Sequence, residues 1–474
     1  MWTIIEKEFL DNLLNQRLQV AILVSVLLTI GCIMLQASDY SRRLEDYRLA
    51  DASQEEFLDG FKAAEVNMMS PQGLIPPKPL SPLVNGLQSS PALSFDQNYL
   101  VKMFPVLDLL FIVSVIMSLM AVLFSHDAVC GERERGTLRL ITSNAVARPK
   151  LILAKWLGGS SSILLPLVIS CLVGMIYISV SPRMQLGVAD WLEVLLILLA
   201  SLAFISVFYL LGLLVSSLVR SSAAAVLISV LVWAVFIFVI PNLGPYLATR
   251  IEPVKTADEI LTRVSRGGWN RFYDNLEKQR DLNTQRYVQE YGQIFSQCLN
   301  IDHDKRELLV GEQAPDLPVK RIWQKYSKED YEIQDNLHRA YYAKLDKLMD
   351  QARLETAKQT RLARNFSAVS PFSDYLYLAT EISGTGLESR EYDSRQSSAY
   401  WSQVNEYRRK ISKAVENASG NTGPDLSGRP RFDYKPQPLA ERLKAVLPFG
   451  AALLFFNLLF FTGAFVGFLR YDVR

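Results

Sequence analysis

A short charged segment lies between two of the most apolar regions of this 474-residue chain. It reads CGERERGTL, spans residues 130–138 and is called the charged turn below. Two glycines in it, separated by four residues, have the spacing of a phosphate-binding loop, GxxxxGK[ST]. The lysine that should follow the second glycine is Thr137, however, and Glu132 and Glu134 would repel a phosphate. No other sequence of this type occurs in the chain, so we expect no ATP hydrolysis by the chain itself.

The rest of the sequence gives little support for a metal site or for a catalytic nucleophile. The three histidines are His126, His303 and His338. Asp302, His303 and Asp304 could in principle bind a metal, but adjacent ligands without a fourth partner indicate a solvated turn. No nucleophile-elbow motif or CxxC pair is present, and the four cysteines do not imply a disulfide framework. We therefore predict no catalytic residue, metal site or cofactor in this chain.

The composition points to a membrane protein, because hydrophobic residues make up 50% of the chain. The net charge is only +2, from 50 basic and 48 acidic residues, so no basic field favours nucleic acid as a partner. Six segments are long and apolar enough to cross a bilayer core of about 30 Å. They are residues 18–35, 105–124, 157–180, 191–215, 223–240 and 445–469. Core helices of a soluble protein are the alternative, but such helices rarely run this long without a charge.

Lysine and arginine near the span ends predict the orientation of the chain. Basic residues outnumber acidic ones in residues 125–156, between spans two and three, so we expect this loop to face the cytoplasm. The short tail, residues 470–474, and the N-terminus then lie on the same side. Residues 36–104 and 241–444 become extracytoplasmic, since long loops cross the membrane largely regardless of their charge.

The two extracytoplasmic segments differ in character. Residues 36–104 begin as a polar helix or two and continue into a proline-rich run, for which a flexible linker and an ordered strap stay equally open. In residues 241–444, Ile333, Leu337 and Tyr341 recur every four positions, which lines one face of a helix. Aromatic residues there are expected to pack between paired helices. The predicted fold class is an all-α membrane protein, with six transmembrane helices and a mostly helical extracytoplasmic domain.

Ionisable residues are scarce inside the predicted spans. Asp108, Asp190 and Glu193 lie near the outer span ends, and no acid, lysine or histidine occupies a span centre. Ion-coupled transport is therefore disfavoured, because it needs such groups within the spans. Residues 374–382, DYLYLATEI, would suit either a helix at the membrane surface or the base of the outer domain's core.

Residues 1–17 predict an amphipathic helix that lies in the membrane interface as an elbow before the first span. Its apolar face comprises Trp2, Ile5, Phe9 and Leu13. A plain cytoplasmic helix is the alternative, but the first span begins immediately after this segment.

The charged turn itself could form a small helix that another protein grips at the cytoplasmic surface. Its glycines can end a helix, and its alternating acids and arginines offer paired charges to a partner. On these residues alone, an ordinary solvated loop would be the preferred interpretation.

The surrounding sequence has a pattern that favours the gripped helix. The pattern comprises Asp127, Glu132, Glu134, Arg135, Gly136, Thr137, Leu138, the run AVAR at residues 145–148, Lys155 and Gly158. It resembles the coupling-helix region of the ABC type-2 permease family, whose members have about six spans, an elbow helix and a cytoplasmic helix that docks into a separate ATPase subunit. The resemblance implies an ATPase-docking set of Glu132, Arg133, Glu134, Arg135, Gly136, Thr137, Leu138 and Arg148. Ala145 and Arg139 depart from the residues often found at their positions.

The resemblance implies the permease subunit of an ABC exporter in a bacterial inner membrane, with both termini cytoplasmic. Two permease subunits, identical or related, would meet around a transport pathway within the membrane lipid, and two partner ATPase subunits would hold ATP and magnesium. A weaker likeness to a subgroup with a large external domain rests on Ser370–Pro371, Gly384–Thr385 and residues 406–408, EYR. The alternative is an ATP-driven mechanical transmitter or scaffold that engages a periplasmic partner and moves no solute.

An epitope tag inserted beside Arg135 tests the predicted orientation. We expect it to be inaccessible to antibody in intact cells and accessible after the cells are opened, because the basic residues hold this loop in the cytoplasm. Labelling of intact cells would overturn the topology.

Overall fold

Helices are the regular elements of this protein in a computed structural model, which describes most of the chain. The described residues are 2–60, 71–86, 108–138, 148–180, 186–254, 257–301, 303–310, 315, 318–417 and 428–470. Among them there is no strand, so the predicted all-α fold is confirmed.

The helices of the first half are α1 (Trp2–Leu13), α2 (Gln16–Asp59), α3, α4 (Cys130–Glu134), α5 (Arg148–Val180) and α6 (Val188–Leu218). Helix α3 consists of Leu109–Phe111, a π-helical stretch at Ile112–Met117 and Ser118–Ser125. Helix α7 likewise consists of Ser222–Ala234, a π-helical stretch at Val235–Val239 and Ile240–Ile251. The remaining helices are α8 (Ala257–Leu299), α9 (His303–Val310), α10 (Pro318–Ser367), α11 (Pro371–Ile382), α12 (Leu387–Asn417) and α13 (Leu439–Leu469).

Six stretches of helix in the described chain are long and apolar enough to cross a membrane. They are Gln19–Asp59, Leu109–Glu134, Pro149–Ile176, Val188–Leu218, Ser222–Ile251 and Leu439–Leu469. These stretches match the six predicted spans in order, and the chain is a multi-pass membrane protein. Their apolar side chains also supply most of the buried core, since α2, α3, α5, α6, α7 and α13 all contribute to it.

Helix α2 continues far beyond the predicted end of the first span at residue 35. The residues that follow are polar, but no glycine or proline interrupts them before Gly60. Arg43 Nε lies 2.9 Å from Asp39 Oδ2 one turn earlier, a pairing that stabilises the helix. The span and the first polar stretch therefore form one helix of 44 residues.

The proline-rich run is an ordered strap over its described residues, 71–86. Leu80, Leu83 and Val84 are buried in it, and they join the same apolar core as the spans. Lys78 Nζ lies 2.8 Å from Asp393 Oδ2 on α12, which attaches the strap to that helix. Of the two alternatives left open by the sequence, the strap is the one observed here; residues 61–70 and 87–107 lie outside the described chain.

The chain divides into two compact units. The first comprises residues 1–243 and 367–474, and the second comprises residues 244–366. In the second unit, aromatic rings of α8 and α10 pack against each other, as the periodicity predicts. The pairs include Trp269 with Tyr341 at 5.2 Å between ring centroids, Phe272 with His338 at 4.6 Å, and Phe295 with Tyr326 at 5.0 Å.

Helix α1 packs closely against the start of α5 because a glycine leaves room for its backbone. A Cβ added at Gly158 would lie 2.8 Å from the Ile5 carbonyl oxygen and 2.9 Å from the Glu8 Cβ. One turn later, Ser162 Oγ donates a hydrogen bond to the Phe9 carbonyl at 3.4 Å. Small residues four apart permit this kind of close helix approach in membrane proteins.

Substitution of Gly158 by alanine should destabilise the protein, because the new methyl group must displace the α1 backbone. We expect a loss of about 1–3 kcal/mol, measured as a lower midpoint of thermal unfolding in detergent. Gly450 on α13 is the matched control, since no atom lies within 4 Å of a Cβ added there. Equal midpoints for Gly158→Ala and Gly450→Ala would contradict this account of the packing.

Candidate functional site

The charged turn is held against α6 at the point where α4 begins. The backbone N–H groups of Val129 and Cys130 both donate to Ser216 Oγ, at 2.9 and 3.1 Å. The first N–H groups of a helix have no partner within the helix, so one hydroxyl on α6 supplies acceptors for two of them. At the other end of the turn, Gly136 has a φ of +72°, which a residue with a side chain rarely adopts.

Glu132 points inward and shares a buried lysine with helix α1. Lys155 Nζ on α5 lies 2.7 Å from Glu132 Oε1 and 2.9 Å from Glu8 Oε1 on α1. The Lys155 side chain is only 1% exposed, and its backbone carbonyl accepts a hydrogen bond from Tyr209 on α6 at 3.1 Å. A buried ammonium is costly to leave unpaired, so these contacts join α1, α4 and α5. We refer to Glu8, Glu132 and Lys155 as the shared-lysine cluster.

Glu134 and Arg133 attach the turn to the loop between α6 and α7. Glu134 Oε1 accepts from the backbone N–H of Ser222 at 3.0 Å, and its Oε2 accepts from Ser222 Oγ at 2.6 Å. Because Ser222 is the first residue of α7, the carboxylate occupies the N-terminal end of that helix, where a negative charge is favourable. Arg133 Nη1 donates to the Val219 carbonyl at 3.4 Å.

The predicted docking residues therefore fall into two groups. Those that face solvent are Glu134, Arg135, Gly136 and Thr137. Glu132 and Leu138 are instead buried, and Arg133 is half-buried. Residues 139–147 and the side chain of Arg148 lie outside the described chain, although Arg148 is the first residue of α5. Among the described residues of the predicted docking set, the exposed ones thus form the tip of the turn.

The apolar face of α1 that was predicted to lie in the membrane interface is only partly exposed. Trp2 is 76% exposed, whereas Ile5, Phe9 and Leu13 are half-buried. This partial cover agrees with the close packing of α1 on α5, where Gly158 faces the backbone of Ile5 and Ser162 hydrogen-bonds to the Phe9 carbonyl.

Sequence reasoning noted Lys155 as a basic residue near a span but missed its two partners. The available signal was its position, since a lysine with apolar neighbours on both sides near a span start needs a counter-charge. Glu8 and Glu132 are 124 positions apart, and no sequence period relates them to the lysine.

A second set of polar contacts lies at the opposite end of the spans. Arg442, near the start of α13, pairs with Glu193 on α6, and both side chains are buried. Arg442 Nη1 also donates to the Ile382 carbonyl at the end of α11, at 2.6 Å. A cation is favoured at a helix C-terminus, so one guanidinium joins two spans to α11.

Helix α11 is packed among the span helices. Its Tyr375 ring stacks on Phe204 of α6 at a centroid distance of 4.5 Å, and its hydroxyl lies 2.8 Å from Ser201 Oγ. Its N-cap residue, Ser370, donates to the Phe236 carbonyl in the π-helical part of α7 at 2.5 Å. The segment DYLYLATEI therefore lies against α6 and α7, in the same core as the spans.

No group of three or more histidine, cysteine, aspartate or glutamate side chains in the described part of the chain could hold a metal ion. Of the metal alternative considered from the sequence, Asp302 lies outside the described residues, as do the side chains of His303 and Asp304.

Replacement of Lys155 by methionine should be strongly destabilising, because it leaves two acids facing each other without a cation. We expect a loss of about 3–5 kcal/mol in the free energy of unfolding, measured by denaturant titration in detergent. Adding Glu132→Gln should restore part of that loss, since it removes one of the unpaired charges. Lys150→Met on the same helix is the control, because Lys150 is exposed. An equal loss of unfolding free energy for Lys155→Met and Lys150→Met would contradict a stabilising role for the shared-lysine cluster.

The comparison with known proteins agrees with this architecture. A sequence-family model described as ABC-2 family transporter protein matches residues 2–473, which is nearly the whole chain. A search of curated proteins finds no match. The family match covers both the spans and the long segment between α7 and α13, and the chain belongs to the ABC-2 family of transporter proteins.

Proposed function

We propose that this chain is the transmembrane permease subunit of an ABC exporter in a bacterial inner membrane. Separate ATPase subunits would dock on the tip of the charged turn, Glu134 to Thr137. The observation that carries the proposal is the contrast within the turn: its tip is exposed, while its base is tied by buried charges to other helices. That is the arrangement expected of a segment that receives force from a partner.

The contacts at the base offer two routes for such a force. One passes from Glu132 through Lys155 to α5 and, through Glu8, to α1. The other passes from Glu134 to Ser222 at the start of α7. A displacement of the turn would therefore act on two spans and on the elbow helix together.

ATP and magnesium would belong to the partner subunits. The sequence contains no Walker-type loop, and the two acids of the charged turn would repel a phosphate. This chain would supply the docking surface and the moving helices, and it would not itself be an enzyme.

The least covered spans are the ones available to lipid and to a second permease subunit. In the most apolar stretch of each span, the buried share is only 22% for α7, 28% for α13 and 33% for α2. In the other three spans the buried share of this stretch is 50–67%. Leu227 and Leu231 on α7 are 73% and 64% exposed, a level that a bilayer or a partner helix would cover.

One observation keeps the mechanical alternative in view. Residues 244–366 form a compact unit of their own, a size that suits engagement of a periplasmic partner. Such a protein would be driven by ATP without moving solute.

Arg135→Glu tests the docking proposal more cleanly than a change at Glu134, which also caps α7. We expect the reversed charge to weaken ATPase binding about tenfold or more, since a like charge facing another in an interface costs several kcal/mol. The measurement is co-purification in mild detergent together with the ATP turnover of the assembled complex.

Arg353→Glu is the matched control, because Arg353 is exposed and belongs to the other unit. If Arg135→Glu binds the ATPase as well as this control does, docking at the tip is wrong.

Sealed vesicles that contain the complex separate the two proposals. An exporter should move a hydrophobic probe in proportion to the ATP consumed, whereas a mechanical transmitter should consume ATP without any change in probe distribution.

A further inference from the structure

Asp374 on α11 is a fully buried acid whose carboxyl group has no hydrogen-bond partner among the described residues. Its side chain is 0% exposed, and neither carboxyl oxygen has a partner among the described residues. The hydroxyl of the neighbouring Ser373 is buried and unpartnered in the same way. Buried carboxylates are normally paired or hydrogen-bonded, because an isolated charge loses its hydration. The missing partner therefore needs an explanation.

The position of Asp374 follows from its neighbours on the same helix. Four residues earlier, Ser370 donates to the Phe236 carbonyl of α7. Three residues later, the Tyr377 ring packs on Phe449 of α13 at 5.1 Å between centroids. Residues three and four apart share one helix face, so Asp374 lies between the contact with α7 and the contact with α13.

Helices α7 and α13 contact each other through aromatic rings, and we call this contact the aromatic joint. The Phe236 ring lies 6.2 Å from the Phe456 ring and 6.3 Å from the Phe460 ring, both on α13. Helix α7 contributes no charged side chain from Ser222 to Thr249. The Asp374 carboxyl is thus held in apolar surroundings.

Charged groups around α11 have partners elsewhere. Glu193 on α6 pairs with Arg442 on α13, and Glu381 of α11 accepts from the backbone of Glu388 at the start of α12. Asp108, whose charge acts on Tyr375, accepts from the backbone N–H groups of Asn85 and Phe111. Other charged residues near these helix ends are Asp190, Arg390, Glu441 and Lys444. Burial alone raises the pKa of the Asp374 carboxyl to about 8, with no contribution from any of these charges.

We propose that Asp374 is a proton-binding site. While the Asp374 carboxyl is protonated, α11 stays packed between α7 and α13, which we call the seated position. The bound proton comes from water, and its loss to water leaves a carboxylate in the aromatic joint. That charge regains hydration only if α11 moves out of the joint. The proposal does not depend on docking of an ATPase, because it concerns this chain alone.

The direction of the pH effect follows from the raised pKa. A displaced and hydrated carboxyl would have the ordinary aspartate pKa of about 4, whereas the seated carboxyl has a pKa of about 8. Between these two values the seated helix holds a proton that the displaced helix releases, so each pH unit favours displacement about tenfold, and the effect levels off above about pH 8 to 9. Between pH 7 and pH 9 the charged fraction of the seated carboxyl rises about tenfold, and this is the last part of the pH range over which displacement still increases.

Thiol labelling of the full chain in nanodiscs measures the seating of α11. Thr380 is a suitable reporter position, because it is 7% exposed and its hydroxyl donates to carbonyls of its own helix. We expect the labelling rate of Thr380→Cys, divided by its rate in an Asp374→Asn background, to rise about tenfold from pH 7 to pH 9. Division by the second rate removes the intrinsic pH dependence of the thiol.

Asp433→Asn is the matched control, since Asp433 is 84% exposed. In that background the rise should equal that of Thr380→Cys alone. The proposal is wrong if Asp374→Asn and Asp433→Asn leave the same pH dependence.

Infrared spectroscopy gives a readout that does not involve the reporter. The absorption of a protonated carboxyl should be present at pH 7 and lose one group's intensity in Asp374→Asn. Should that variant not fold, Asp374→Leu replaces it, because the proposal requires a neutral side chain to be tolerated. Failure of both neutral variants to fold would overturn the proposal, as would an unchanged carboxyl absorption.

Discussion

The contact on which the rest of this structure depends is the one between a buried lysine and two acids. Lys155 is almost completely removed from water, and Glu8 and Glu132 approach it from different helices. An ammonium in such surroundings must keep its counter-charges, because desolvation without them costs several kcal/mol. Helices α1, α4 and α5 are therefore constrained to move together. The shared-lysine cluster thus adds α1 and α5 to the connections that the charged turn already makes with α6 through Ser216 and with α7 through Ser222.

At the opposite end of the spans a buried ion pair is again present, formed by different residues. There Arg442 joins α6, α13 and the end of α11, so the two ends are each organised by a buried cation. Between them lies a core built mainly from apolar side chains of the spans. The two buried ion pairs therefore fix the helices to one another at both ends of that core.

Much of the fold was predictable from the sequence, and the reasons are local. Each span is a run of apolar residues long enough to cross a bilayer, and such a run can be recognised without knowing its neighbours. The aromatic pairing of α8 with α10 was predictable for a similar reason, since a spacing of four places Leu337, Tyr341 and Leu345 on one helix face. The length of α2 was not, because a polar helix that continues a span has no apolar signal.

The sequence by itself determined the helical class, the order of the six spans and the location of a charged turn between two of them. Those properties depend on composition and periodicity over short windows. The tertiary structure decided which acids share Lys155, that Glu132 faces inward while Arg135 faces solvent, and that Asp374 is buried without a partner among the described residues. These facts depend on contacts between residues far apart in the chain, and a carboxylate has the same sequence signature whether it meets water, a lysine or an aromatic ring.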